Sequence, residues 1–368
     1  MSECQLDSAN CRLRQQRLVR AMHRNRCDLV VVSRPEHVQW LTGVRPAWVF
    51  QAAAAISADG QVVLAAPNRE PPFAVADHVV CFEAQSLATL RSDQAQRSLL
   101  ALLQAIPASW PRRRLAAEFS CFPQHFASQL DAEWIDAEPD LLHLRRQKSP
   151  DELAMLRQAI TATARMYERA RGIIAPGILE LEVFSQLQTV AVECFGEVPT
   201  ATGNDYQCAS PGGPPRAGHA AHAGELYILD LGPAYRGYFA DNCRTIAVRG
   251  VTDEQYRAWQ ATLRVFELAE RTVRPGVSAR AVYFAAKEIL EDASCGDFFH
   301  HLGHGVGLFP HEPPYLNPNW DDCFQEGDVF SVEPGLYSPS LKAGLRIEQN
   351  YLVTRNGIEL LTPFSIDL

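Results

Sequence analysis

The sequence predicts an α/β (α+β) protein in which strands and helices mix within two domains. Its 368 residues are more than one hydrophobic core usually serves. The first part of the chain alternates short apolar runs with a helical pattern, and the second part contains two similar helix-break-helix segments. With 47% hydrophobic and 21% charged residues, the composition is that of a globular protein.

The N-terminal domain is predicted to cover residues 1–147 as a small α/β unit. The runs CDLVVVS (27–33) and GQVVLAA (60–66) are short and apolar, as strands are. The run RSLLALLQAI (97–106) repeats its apolar residues at helical spacing. An alternation of this kind over roughly 140 residues is long enough for a small domain.

The C-terminal domain is predicted to cover residues 148–368 and to open on a long helix. In RRQKSPDE, Ser149 can cap this helix, Pro150 suits its first position and Glu152 completes a capping box. Apolar residues then recur at helical spacing, at Leu153, Leu156, Ile160 and Tyr167.

An internal repeat is predicted within the C-terminal domain. The segment ARGIIAPGILELEVF (170–184) resembles ERTVRPGVSARAVYF (270–284), and each contains a helix end, a Pro-Gly break and a new helix. Each segment is followed by strand-like runs that glycines interrupt. Chance similarity between amphipathic helices is the alternative explanation, because two copies are a weak basis for a repeat.

Charge and cysteine usage restrict the class of protein. A net charge of −9 argues against nucleic acid or an acidic membrane surface as a partner. No run approaches the roughly 18 apolar residues of a membrane span, and the N-terminus lacks the apolar core of a signal peptide. The ten cysteines are scattered without a C-x-x-C pair, which indicates reduced thiols. We therefore expect a cytoplasmic protein.

Two aspartates lie close together in the run YILDLGPAYRGYFAD, at Asp230 and Asp241. If the tightest loop is Tyr235-Arg236, the two aspartates lie directly opposite each other on one face of a hairpin. A larger loop would change this register. Like charges in that position would weaken the sheet unless a cation lies between them.

Two glutamates and a histidine complete a candidate site. VFSVEPGLY offers Glu333 at the end of an apolar strand, and LRIEQNYLV offers Glu348 inside another. GHGVGLFPHE frames His304 with glycines, which we interpret as allowing a close and strained backbone approach. Taken singly, such acids are more often ordinary turn or surface residues. Buried together they need partners or metals.

The charge of this residue set indicates two metal ions. Four carboxylates and one neutral imidazole carry four negative charges, which two divalent cations would balance. Oxygen ligands with one imidazole suit manganese, cobalt or iron, and zinc is possible. Two such ions about 3.5–4 Å apart can lower the pKa of a shared water and produce hydroxide at neutral pH.

The ordered set D-x10-D, G-H-G, V-E-P-G and R-I-E closely resembles the pita-bread metallopeptidases, especially their proline-specific branch of Xaa-Pro dipeptidases and aminopeptidases P. RRQKSPDELAMLRQA and CDLVVVSRPEHVQWLTG are also similar to family segments. The resemblance implies a creatinase-like N-terminal domain and a pita-bread domain whose pseudo-twofold symmetry would explain the repeat. It also implies a homodimer and manganese as the first expectation among metals, with cobalt or zinc as alternatives.

The same resemblance implies which residues bind the metals and move the proton. The implied ligands are Asp230, Asp241, His304, Glu333 and Glu348. Glu333 would also act as general base, moving the proton of the attacking water to the leaving nitrogen.

Further residues are implied around the substrate. His311 would contact the substrate carbonyl or the tetrahedral intermediate, and His219 would face the same group from the other side, although His222 competes for that role. Only ten residues separate His219 from Asp230, which is shorter than the family's usual loop. Arg346, two residues before Glu348, would support the acidic cluster and the bound substrate, with an ordinary surface arginine on a strand as the alternative.

The residue at position 315 departs from the family pattern. Many related dipeptidases have an arginine after H-E-x-P, which grips the C-terminal carboxylate of a dipeptide, whereas this chain has Tyr315. A tyrosine at the substrate can donate one hydrogen bond but cannot supply a bidentate cation. Arg216 or an arginine of a partner subunit is the alternative. The departure leaves room for an aminopeptidase that acts on longer peptides.

The sequence thus predicts a dinuclear metallopeptidase whose partner is a small peptide. It would hydrolyse the bond between an N-terminal residue and proline in dipeptides or short peptides. A related amidohydrolase acting on a non-peptide C–N bond is one alternative. A non-catalytic binding protein on the same scaffold is another, against which the complete set of five ligands counts.

Overall fold

The structure, a computed structural model, describes residues 5–368 and divides the chain into two compact units between Arg145 and Arg146. The boundary predicted from the sequence lies slightly further along the chain, between residues 147 and 148. It stays a prediction. Among the described residues, no helix combines the length with the apolar composition that crossing a membrane requires.

The N-terminal unit combines helices with a mixed sheet. Its helices are α1 (Ser8–Asn25), α2 (Pro35–Thr42), α3 (Gln94–Ala105), α4 (Gln124–Ala127) and α5 (Glu138–Arg146). Its strands are β1 (Leu29–Val32), β2 (Ala53–Ser57), β3 (Val62–Pro67), β4 (His78–Phe82), β5 (Gln85–Ser86), β6 (Thr89–Leu90), β7 (Arg114–Ala117) and β8 (Glu133–Asp136).

The six-stranded sheet of this unit has the order β4-β3-β2-β1-β7-β8. Strand β1 runs antiparallel to β2 and parallel to β7. All residues of β1 are buried, and a central strand that is buried in this way favours a continuous apolar run. The predicted strands at 27–33 and 60–66 and the predicted helix at 97–106 are confirmed as β1, β3 and α3.

The C-terminal unit contains the remaining elements. Its helices are α6 (Pro150–Ile173), α7 (Glu180–Phe195), α8 (Asp253–Thr272) and α9 (Ala279–Asp292). Its strands are β9 (Asp205–Cys208), β10 (Leu226–Asp230), β11 (Ala234–Tyr235), β12 (Tyr238–Phe239), β13 (Cys243–Ala247), β14 (Gly303–Gly305), β15 (Glu312–Leu316), β16 (Val329–Val332), β17 (Gly335–Leu336), β18 (Leu345–Arg346), β19 (Gln349–Val353) and β20 (Ile358–Leu360).

The predicted repeat is confirmed as two helix pairs, each of which covers a sheet. Helices α6 and α7 share a core with the sheet β13-β10-β9, through residues such as Val183 and Leu229. Helices α8 and α9 share a core with the sheet β15-β14-β16-β19-β20, through residues such as Val265 and Phe330. Helix α6 begins where the capping pattern predicts. The Glu152 carboxylate accepts the N–H of Ser149 at 2.9 Å.

Candidate metal centre

The hairpin that carries the two aspartates turns one residue later than expected. Tyr235 pairs with Tyr238, so the two-residue turn is Arg236-Gly237. Both turn residues have a positive φ, 47° for Arg236 and 90° for Gly237. A tight hairpin turn favours this geometry at both positions because it matches the strand twist, and glycine adopts it without steric cost. The predicted turn at Tyr235-Arg236 is therefore wrong.

The corrected turn changes how the aspartates face each other. Asp230 pairs with Cys243, and Asp241 precedes that cysteine by two positions, so the predicted direct opposition of the aspartates is also wrong. A register shift of two residues keeps side chains on the same face of a sheet. Asp230, Asp241 and Glu348 accordingly bring carboxylate oxygens within 4.8 Å of one another.

His304 lies on β14 with its ring directed at carboxylates. Its Nε2 lies 3.3 Å from Oε1 of Glu333 and 3.7 Å from Oδ2 of Asp241. Its Nδ1 lies 3.1 Å from the carbonyl oxygen of Gly305, which favours a proton on Nδ1. The Nε2 lone pair of a neutral ring would then be available to a cation.

The glycines around His304 serve close packing and are not strained. A Cβ atom at Gly303 or Gly305 would lie less than 3.0 Å from a backbone carbonyl oxygen, and one at Gly307 would lie less than 3.0 Å from the Glu312 carboxylate. None of the three has a left-handed φ. The expectation of close approach is confirmed, but the expectation of backbone strain is wrong.

The two glutamates lie at the ends of neighbouring strands of the second sheet, β16 and β19. Glu333 directly follows β16, and its Oε1 lies 3.2 Å from Nδ1 of His301 as well as close to His304. Glu348 lies between β18 and β19 and not within a strand as expected. Its N–H donates to the carbonyl of Cys243 at 2.9 Å, which joins it to the first sheet.

The carboxylates crowd together in a largely buried part of the cavity. Burial raises the pKa of Asp230, and burial together with the neighbouring carboxylates raises the pKa values of Asp241 and Glu348 well above their ordinary range. These groups repel one another, and nearby cations would relieve that repulsion. Oxygen donors with an imidazole beside them thus fit divalent metal ions.

Glu333 differs from the other carboxylates because two imidazoles lie against it. Burial disfavours its charge, but His301 and His304 hold its pKa well below the ordinary value. Burial likewise opposes the charge of His304, yet Glu333 and Asp241 outweigh it and raise the pKa of His304 to about 9. A metal ligand must be unprotonated, so metal binding would release a proton from His304.

Arg346 binds the acidic cluster directly. Its Nη2 lies 2.9 Å from Oδ2 of Asp230 and also contacts Asp205, while its Nη1 lies 3.2 Å from the hydroxyl of Tyr337. Sequence reasoning missed Asp205 and Tyr337. Asp205 reaches the site because β9 pairs with β10 and sets it opposite Asp230, a pairing that no local motif reveals.

A cavity of about 570 Å³ collects these groups. Its lining includes all five predicted ligands together with two predicted substrate contacts: Asp230, Asp241, His304, Glu333, Glu348, His311 and Arg346. Within the described part of the chain, Arg346 is the one arginine or lysine in this lining.

His311 lies at the open side of the cavity. Its ring stacks on that of His304, with centroids 3.7 Å apart and planes 12° apart, and its Nε2 lies 3.9 Å from Oδ2 of Asp241. Its side chain is 52% exposed. Burial of the remainder and the charge of His304 lower the pKa of His311 to about 4, so the ring is neutral at pH 7.

Tyr315 lines an adjoining chamber of about 380 Å³ that also has Phe299 and Trp320 in its walls. The two cavities share His301, His304 and His311 among others. The Tyr315 hydroxyl lies 3.4 Å from the carbonyl oxygen of His311. Tyr315 is therefore next to the candidate site, in a chamber with aromatic walls.

The structure does not bring His219 into the cavity. Its Nε2 lies 3.7 Å from Oε1 of the buried Glu180, at the start of α7. Arg216, the suggested substitute for the missing arginine, binds the same Glu180 at 2.6 Å. His222, the competing histidine, lies 3.4 Å from Glu225 and is largely exposed. The role of His219 at the substrate stays a prediction.

We expect the metal-free protein to lose stability as the pH rises from 6.5 to 9. A group whose pKa is higher in the folded than in the unfolded state stabilises the fold only while its proton is retained. His304, raised from 6.5 to about 9, contributes fully below pH 6.5 and loses this contribution by about pH 9. The raised pKa values of Asp241 and Glu348 act in the same direction.

Urea unfolding with excess chelator at several pH values across this range measures the free energy of unfolding. Manganese-saturated protein is the control, in which the decline should disappear because metal binding strengthens as His304 loses its proton. A free energy of unfolding that stays constant or increases in the metal-free protein would contradict the expectation.

Two family comparisons agree with this architecture. Residues 154–355 match the family described as Metallopeptidase family M24, which is more than half of the chain. Residues 14–147 match the Creatinase/Prolidase N-terminal domain.

Individual relatives extend the comparison. An uncharacterized peptidase of Staphylococcus epidermidis is 31% identical over 234 residues, which are 62% of this chain and 66% of that protein. A Xaa-Pro dipeptidase of Pyrococcus furiosus is 31% identical over 229 residues, 61% of this chain and 65% of that protein. The matches therefore span just under two thirds of either relative. The solved structure of a prolidase from Pyrococcus furiosus has a TM-score of 0.78 and 25% identity, and the superposition covers 94% of this chain and 99% of that one.

Proposed function

The chain belongs to metallopeptidase family M24, and on that basis we propose that it hydrolyses the bond between an N-terminal residue and a proline in dipeptides or short peptides. The observation that carries the proposal is the convergence of the four predicted carboxylate ligands and the predicted imidazole ligand on a single cavity. The names of its relatives, a Xaa-Pro dipeptidase and a prolidase, support proline at the second position of the substrate.

Two divalent ions are the proposed cofactors, with manganese as the first expectation and cobalt or zinc as alternatives. The residues that would hold them are Asp230, Asp241, His304, Glu333 and Glu348. Bound ions would supply Lewis acidity, which lowers the pKa of water and polarises the scissile carbonyl.

The protein's own side chains would position the substrate and move the proton. Glu333 lines the cavity with its Oε1 between two imidazoles, in a position to take a proton from the attacking water and pass it to the leaving nitrogen. His311 is neutral and open to the cavity, so its Nε2 can form a hydrogen bond with the carbonyl group of the substrate. Arg346 holds Asp230 in place. We assign His219 no step.

Peptides that continue beyond proline are the preferred substrates in this proposal. The lining of the two cavities contains one arginine or lysine among the described residues, Arg346, and two aspartates already bind it. The carboxylate of a dipeptide therefore lacks a free arginine or lysine here. The chamber beside Tyr315 offers aromatic walls to a longer chain. We expect tripeptides that begin with Xaa-Pro to be hydrolysed with a higher kcat/KM than the matching dipeptides.

One experiment tests both the reaction and the substrate length. The protein is depleted of metal with a chelator, reconstituted with manganese, and assayed on Xaa-Pro dipeptides and on Xaa-Pro tripeptides. Metal-dependent release of the N-terminal residue is the expected result. No release from either substrate would reject the peptidase and favour an amidohydrolase or a binding protein. Faster release from dipeptides would reject the length preference alone, and would point to an arginine of a partner subunit.

The homodimer and the cytoplasmic location remain predictions of the sequence. Light scattering of the purified protein measures the oligomeric state directly, and a monomer would reject the dimer.

A further inference from the structure

A buried ion pair includes the residue that follows His311 in the chain. Nζ of Lys148 lies 2.5 Å from Oε1 of Glu312, and the two side chains are 1% and 3% exposed. Lys148 immediately precedes the capping residue of α6, and Glu312 begins β15. The pair therefore joins two segments that are 164 residues apart in the chain.

Stability alone is a poor reason for such a pair. Removing two charges from water costs free energy that their attraction often fails to recover, so replacing both by apolar side chains is often neutral or stabilising. A buried pair of this kind is better attested as a device that fixes one arrangement of the chain. The question is therefore which group Lys148 and Glu312 hold in place.

The neighbour of Glu312 in the chain is His311, whose side chain is half exposed at the open side of the cavity. The ring contacts the rings of His304 and His301, and its position also depends on the backbone that carries it. The ladder between β14 and β15 is a weak support there, because its register is irregular between His304 and Gly305.

The third glycine of the GHGVG segment provides the space that the pair occupies. A Cβ atom at Gly307 would lie less than 3.0 Å from the Glu312 carboxylate and 3.1 Å from Cε of Lys148. The N–H of Phe239 donates to the carbonyl of Gly307 at 2.9 Å, so this backbone is itself attached to the hairpin of the aspartates. The segment that carries His304 therefore packs against the anchor of His311.

We propose that Lys148 and Glu312 are positioning residues, which hold the backbone at Glu312 so that the His311 ring stays stacked on His304 and faces the substrate. This inference rests on the proposed function for the role of His311. The location of the ring is a separate consequence that needs no substrate.

The test is a double variant, Lys148→Met with Glu312→Leu, because a single substitution would remove the ion-pair partner of the other buried charge and the protein could fail to fold. We expect a melting temperature similar to wild type, an unchanged manganese affinity by calorimetry, and kcat lower by about 10–100-fold, the effect of a small misplacement of a reacting group. The matched control replaces the exposed pair Arg157–Glu359 in the same way (Arg157→Met with Glu359→Leu) and should leave kcat unchanged.

A variant cycle identifies the group through which the pair acts. When His311→Ala is added to the double variant, kcat should fall no further than in His311→Ala alone, because residues that act through one another are not additive. Losses that multiply independently would overturn the proposal, as would wild-type kcat in the folded double variant.

A crystal structure of the double variant gives a readout that does not depend on activity. We expect the His311 ring to leave its stacked position, where the centroids are 3.7 Å apart. A ring that keeps this position overturns the positioning role, whatever substrate the enzyme acts on. If the wild-type protein hydrolyses no Xaa-Pro peptide, the proposed function fails, and the ring position still decides the inference.

Discussion

Glu333→Ala is expected to lower kcat by about 10²–10⁴-fold or more, the usual contribution of a positioned general base, while the protein remains folded. Glu333 touches both His301 and His304 and lines the cavity, so its removal takes away a proposed ligand and the proposed proton carrier together. Steady-state kinetics on a Xaa-Pro tripeptide with saturating manganese measures the loss. Circular dichroism establishes that the variant is folded.

Glu326→Ala is the matched control, since Glu326 is an exposed carboxylate shortly before β16 and should leave kcat unchanged. Wild-type kcat in Glu333→Ala would contradict the assignment of Glu333 as both ligand and base. A loss of kcat that accompanies global unfolding would assign Glu333 a structural role instead.

Manganese is expected to raise the melting temperature of the wild-type protein substantially, and Glu348→Gln should abolish this effect. A ligand that binds the folded state alone at 100 times its dissociation constant stabilises that state by about 2.7 kcal/mol. For a domain of about 150–250 residues this corresponds to a rise of roughly 5–10 °C. Differential scanning calorimetry with and without manganese measures both proteins.

In the metal-free protein, the same substitution, Glu348→Gln, should raise the melting temperature. The pKa of Glu348 is raised well above its ordinary value in the folded state, by burial and by the charges of Asp241 and Asp230. At neutral pH, where Glu348 is ionised in the unfolded chain, this raised pKa lowers the stability of the folded state, and glutamine removes the ionisable group without changing its shape greatly. Metal-free Glu348→Gln should melt at a higher temperature than metal-free wild type. A lower melting temperature, or a retained response to manganese, would contradict the proposed ligand role.

The sequence predicts the members of the site better than their geometry. The resemblance of the ordered motifs to a known family implies the five proposed ligands, and the structure brings all five to one cavity. The hairpin register could not be derived, since it depends on whether Arg236 adopts a positive φ beside Gly237. The turn forms at Arg236-Gly237, and as a result the two aspartates do not lie directly opposite each other.

Contacts between segments that are distant in the chain could not be predicted from local sequence motifs. Asp205 and Glu312 are ordinary acids in the sequence, and only strand pairing and burial bring them to Arg346 and Lys148. His219 is the reverse case, because the family resemblance implies a substrate role while the structure sets it beside Glu180. The short segment before Asp230 departs from the pattern on which that expectation depended.

The five proposed metal ligands come from both halves of the repeat, which has a consequence for how the domain assembles. Asp230 and Asp241 belong to the first half of the repeat, whereas His304, Glu333 and Glu348 belong to the second. Neither half carries the complete set of proposed ligands, so an ion bound by all five would report that the halves have docked in the correct register. If the proposed ligands bind the ions, metal affinity would also measure how faithfully the domain folds, because a chain whose halves are misaligned should fail to bind them.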